Sequence, residues 1–211
     1  MRSMPCTEYH QTKGRGVKRA LTLVAVLLLP WLLGGCESAA PLVATPPPKV
    51  SPELQTNYQY ALSLMKSGQD RQAQAALERI ARQEPRLAGP HVNLGILHMR
   101  AGRWEKAEAA LQKAIELNPA NAAAWNHLGI VLRHAGKFEE ALAAYQKALS
   151  IRDDYAIAHL NIGILYDIYF QKLDEALEHY RRYQSLTGES DTQVAKWIVD
   201  LERRAAKPEN G

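Results

Sequence analysis

The chain has 211 residues, enough for one good-sized domain plus a targeting segment, and 46% of it is hydrophobic with only 7% aromatic. That heavy use of Ala and Leu suits close-packed helices better than sheets. The sequence pI of about 9.0 invites a nucleic-acid reading, but five of the 26 Lys and Arg and one of the 22 acids fall in residues 1–35, so the remainder carries 21 of each sign and offers phosphate backbones no electrostatic footprint.

From the N-terminus, Lys18 and Arg19 precede an apolar run of 14 residues, Ala20 to Leu33. That is short of the roughly 20 residues a spanning helix needs and fits the h-region of a secretory signal. The run closes on Leu33-Gly34-Gly35-Cys36. This resembles the bacterial lipobox, in which an aliphatic and small residues lead into a Cys. The resemblance implies cleavage before Cys36 and acylation of its thiol, an anchor worth about 0.8 kcal/mol per buried methylene. Residues 1–35 are therefore read as a lipoprotein signal peptide, with Val17 as a candidate true start. Cys6 would leave with the signal, so Cys36 has no internal disulfide partner, and no Cys/His spacing suits zinc. Glu37 is not the Asp that commonly retains lipoproteins in the inner membrane. An outer-membrane lipoprotein facing the periplasm is the expectation.

Residues 36–52 hold the acceptor Cys and a spacer with Pro41, Pro46, Pro47, Pro48 and Pro52. Proline without helical periodicity predicts a stiff, extended tether, about 3.1 Å per residue.

Beyond it the sequence repeats every 34 residues: Gly68, Gly102 and Gly136; Ala73, Ala107 and Ala141; Leu77, Leu111 and Tyr145; Pro85 and Pro119; Leu94-Gly95, Leu128-Gly129 and Ile162-Gly163. Within a unit, Trp125, Leu128, Gly129 and Leu132 stand at i, i+3, i+4 and i+7, one helical face, and Gly136 then supplies a left-handed stop. Ala107, Leu111 and Ala114 make the matching face of a second helix, which Asn118-Pro119 ends. The pattern is similar to the tetratricopeptide repeat. It gives units at 54–87, 88–121, 122–155 and 156–190, 54–190 in all, and the resemblance implies a right-handed α-solenoid of helix-turn-helix hairpins. Such units cannot bury their faces singly and must stack. The fourth has one extra residue in its turn, Tyr169-Phe170-Gln171 replacing Gly, and Tyr183 where Ala is usual. Residues 191–206, with Val194, Trp197, Ile198 and Leu201 on one stripe, predict a C-terminal capping helix.

No phosphate loop, metalloprotease motif, nucleophile elbow or carboxylate pair is present, so neither an enzyme nor a metal or cofactor is expected. His91/His98 and His127/His134 stand seven apart, about 10.5 Å along a helix, too far for one metal. His91 and His159 share the slot of Trp125 and read as packing residues. A second apolar stripe lies about 120° round the first helices. Leu62, Ile96, Ile130 and Ile164 recur every 34 residues, flanked by Tyr58 and Met65, Val92 and Met99, Asn126 and Arg133, and Leu160 and Asp167. The family resemblance places this stripe in a concave groove that binds peptides or helices, and its aliphatic and Met residues suit an apolar ligand. The Lys and Asn set that clamps acidic tails is absent, with Val92 and Ile96 in its place. The expected function is a membrane-anchored scaffold that binds protein partners in the envelope. Its plan resembles that of the pilus-biogenesis lipoproteins that help secretins assemble. An adaptor or regulator of cell-wall enzymes fits the same plan.

Overall fold

A computed structural model describes residues 50–206 of the chain. The lipobox, Cys36, the candidate start at Val17 and nearly all of the proline spacer lie outside the described residues. The described part is all helix and turn. Hairpins form from α1 (Pro52–Lys66) and α2 (Asp70–Gln83), α3 (Ala88–Arg100) and α4 (Trp104–Leu117), and α5 (Ala122–His134) and α6 (Phe138–Ile151). A fourth pairs α7 (Ala156–Ile164), continued by a π-helical stretch Leu165–Phe170, with α8 (Leu173–Leu186), and α9 (Thr192–Ala205) follows.

Each hairpin closes in the same way. The second helices bury Ala73, Leu77 and Ile80 on α2, Ala107, Leu111 and Ala114 on α4, and Ala141, Tyr145 and Ala148 on α6. Full burial of an aliphatic of this size is worth about 1.5–3 kcal/mol. In the second to fourth hairpins the first helix faces them with a glycine because there is no room for more, whereas α1 holds the fully buried Ala61 in that slot. A Cβ on Gly129 would lie 2.5 Å from the Tyr145 ring, and one on Gly163 would lie 2.5 Å from that of Tyr180. The turn of the first three hairpins is set by a positive φ at Gly68 (74°), Gly102 (67°) and Gly136 (75°). Each lets the following amide reach back five residues, as Arg103 N–H does to the His98 carbonyl at 2.9 Å.

The fourth turn absorbs its extra residue in the π-helix. Lys172 N–H donates to the Tyr166 carbonyl at 2.9 Å, six residues back instead of five, and Gln171 takes the left-handed conformation at φ 54°. The hairpin survives this change intact.

Both ends are finished differently from the middle. Pro90, Leu94 and Leu97, like Ala124, Leu128 and Val131, are buried against the preceding hairpin. Their counterparts on α1, Thr56, Tyr60 and Ser63, are exposed and carry hydroxyl groups, as a terminal face in water should. At the other end α9 buries Val194 and Leu201, with Trp197 5.5 Å from the Tyr180 ring. Asp191 caps it, accepting from Gln193 and Val194 N–H. Tyr183, where a small residue is usual, is buried and donates its hydroxyl to Asp191 at 3.0 Å, tying the cap to α8. The Val194 N–H, and next the Tyr183 hydroxyl, hold the Asp191 carboxyl below its ordinary range.

Candidate peptide-binding groove

Curvature follows from which helices touch. Successive first helices contact one another, α3 against α5 and α5 against α7, whereas the second helices are spread further apart. The first helices therefore line the inner, concave side.

Along that side Leu62, Ile96, Ile130 and Ile164 form a row, one per hairpin, each half-buried. Their inner atoms rest on the core and their outer atoms face the concavity; Ile96 touches the clusters of both the first and second hairpins. Met99, Arg133 and Leu160 are likewise half-buried beside the row. The remaining five candidates are engaged within the protein. Met65 and Val92 are buried and Asn126 is fully so, because these positions lie on the edge of the helix that meets the next hairpin. Tyr58 accepts from Asn93 Nδ2 at 2.6 Å, and Asn126 Oδ1 accepts from Asn161 Nδ2 at 2.9 Å. Asp167, whose side chain is 11% exposed, accepts from Arg204 of the capping helix at 3.0 Å. The accessible stripe is thus narrower than helical periodicity implies.

A second repeated contact borders the groove, between the start of one second helix and the end of the next first helix. It is an ion pair in Arg100–Asp70 (3.0 Å), a stack in Trp104–His134 (3.6 Å between ring centroids) and an aromatic contact in Phe138–Tyr169 (4.2 Å). By strict 34-residue counting the last partner would be Ile168. The π-helix advances Tyr169 into the slot and leaves Ile168 59% exposed. Ile157, also exposed, Ile164 and Ile168 then share one face of the fourth hairpin at i, i+7 and i+11. That spacing was readable in the sequence, but the extrusion of Ile168 was not. Under the groove, burial pushes the Tyr145 hydroxyl up to about 12, against the opposing pull of Arg133, and its Oη has no hydrogen-bond partner.

These features define a helical-repeat protein with an inner surface that carries one half-buried aliphatic row, a residue per repeat. Family models of the tetratricopeptide repeat match residues 55–86 and 92–157, and the fold is a solenoid of hairpins of that kind. Among solved structures, that of MamA is similar at 26% identity and a TM-score of 0.56, over 64% of this chain and 79% of that one. That of Pseudomonas aeruginosa pilF matches at 21% identity and 0.66, over 72% and 68%. The first TPR domain of Spaghetti, bound to an HSP90 peptide, matches at 19% and 0.54, over 57% and 94%. The last two likenesses are of fold. No curated protein sequence matches the chain.

Proposed function

We propose that the chain is a non-catalytic, membrane-anchored scaffold of the bacterial envelope, which holds a protein partner in its concave groove. The observation that carries this is the half-buried aliphatic row Leu62, Ile96, Ile130 and Ile164, continued by Ile157 and Ile168. Such a row offers apolar area to an extended or helical peptide without unfolding anything to receive it. The lipobox supplies the anchor, and the proline spacer holds the solenoid off the membrane. The finer reading is assistance to assembly of an outer-membrane pilus secretin, supported by that plan and by the structural likeness to pilF.

The test compares Ile130→Asp with Leu128→Asp. Ile130 is half-buried, so its carboxylate stays hydrated in the free protein, and Tm should hardly move while secretin multimers in the outer membrane decline. Leu128 is buried, and an unpaired carboxylate there should cost several kcal/mol and unfold the solenoid. Equal loss of stability in the two variants would remove Ile130 from the groove. Normal secretin assembly with a folded Ile130→Asp would remove the secretin.

A further inference from the structure

The fourth hairpin contains a contact between two histidines that no other hairpin has. His159 on α7 and His179 on α8 approach through their Nδ1 atoms, 3.0 Å apart. The corresponding pairs are Trp125 with Ala144 and His91 with Ala110, a large ring over a methyl group.

The hydrogens in this contact follow from its surroundings. His159 Nε2 lies 3.1 Å from the Asp153 carbonyl, which can only accept. In the equivalent slot Trp125 Nε1 faces the Pro119 carbonyl at 2.9 Å, six residues back in both cases, and an indole nitrogen can only donate. His159 therefore carries its hydrogen on Nε2 and presents a bare Nδ1. His179 Nδ1–H donates to it, leaving His179 Nε2 as the site for an added proton. The first proton lands there and strengthens the contact, because the cation still donates from Nδ1. A second must go to His159 Nδ1. It would face the His179 N–H head-on and set two like charges about 3 Å apart.

We propose that the His159–His179 contact is a proton-counting latch, which holds α7 to α8 while the pair carries no more than one added proton and releases when it takes a second. The groups facing it are Glu178 and Arg182 on α8, Asp153 in the connection from α6, and the Tyr166 ring 5.9 Å from His179. Burial is the chief influence holding both rings below the ordinary histidine range; His159 adds to it for His179, and Glu178 opposes it for both. Because α7 carries Ile157 and Ile164, release would loosen the C-terminal part of the inner surface.

The experiment is a histidine NMR titration of the whole chain, with chelator present, joined to amide hydrogen exchange. Near pH 7.5 His159 should be the Nε2–H tautomer and His179 the Nδ1–H tautomer. The pair should titrate in two steps whose proton affinities differ at least tenfold. Across the lower step, amides of α7 and α8 should lose at least tenfold more protection than those of α3 and α4. In His179→Gln, and independently in His159→Gln should the first fail to fold, the remaining ring should titrate once, and the selective loss should vanish. Coincident steps, the opposite tautomers, or a loss of protection spread evenly over all hairpins would overturn the latch.

Discussion

Asn161 on α7 donates from Nδ2 to Oδ1 of Asn126 on α5 at 2.9 Å, across the interface of the third and fourth hairpins and shut off from solvent. The same two positions hold Tyr58 and Asn93 at the first interface and Val92 and His127 at the second. Asn126 Nδ2 has no partner of its own, so the pair is only half satisfied. Asn161→Ala strips Asn126 of its remaining bond and should cost about 1–3 kcal/mol. Replacing both residues, Asn126→Val with Asn161→Leu, removes the buried polar atoms together and should be near neutral or stabilising. Chemical denaturation of Asn126→Val, Asn161→Leu, the double variant and wild type measures the coupling. A double variant as unstable as the sum of its parts would show that the amide pair has no such role.

The repeat and its hairpins were legible because they rest on volume. A slot that leaves no room for a Cβ, as Gly129 does under Tyr145, writes itself into the sequence at a fixed interval. On the inner side, only the half-buried row Leu62, Ile96, Ile130 and Ile164 was legible. Residues at i, i+4 and i+7 share a face, but periodicity cannot say how far the next hairpin wraps over that face, and it covers Met65, Val92 and Asn126. The same limit hides the engagement of Asp167, whose partner Arg204 is 37 residues away on the capping helix. The extra residue near Gln171 was visible as a count. Its accommodation as a π-helix depends on which side chain fills the slot beside Phe138, and that is a three-dimensional competition.

That accommodation is testable. Gln171 holds φ 54°, where an L side chain costs about 1–2 kcal/mol, while Gly costs somewhat less than 1 kcal/mol in chain entropy. Gln171→Gly should therefore raise stability by roughly 0.5–1 kcal/mol, read as an upward shift in Tm. Deleting Ile168 should restore the five-residue return of the other turns without unfolding the hairpin. An Ile168 deletion that melts far below wild type would mean that the π-helix is required for packing.

Lipid attachment at Cys36 is tested apart from the fold. Cys36→Ser should abolish labelling by a radioactive or clickable fatty acid and leave an uncleaved or freely soluble product. The Tm of the solenoid should be unchanged, because no repeat position falls before residue 54. Continued acylation of the variant would refute the lipobox.

The final expectation concerns acid. His91, His98, His127, His159 and His179 all sit below the ordinary histidine value of 6.5, with burial the leading cause each time. His98 also accepts at Nδ1 from Arg103 Nε at 3.0 Å, a bond that protonation there would break. A folded-state value below the unfolded one means that the unfolded chain binds more protons below about pH 6.5, so stability rises with pH through that window and falls on acidification. These groups contribute nothing to the slope well above pH 7. On the alkaline side Tyr145 works in the opposite sense. Its hydroxyl is raised from 10.0 to about 12, so its contribution is complete below pH 10 and is lost as pH climbs from there toward 12. Stability against urea should thus form a plateau with two flanks. His127, whose Nδ1 is buried without a partner, supplies the control. His127→Leu should shallow the acid flank and leave the alkaline one in place, and an acid flank unaltered in that variant would take His127 out of the account.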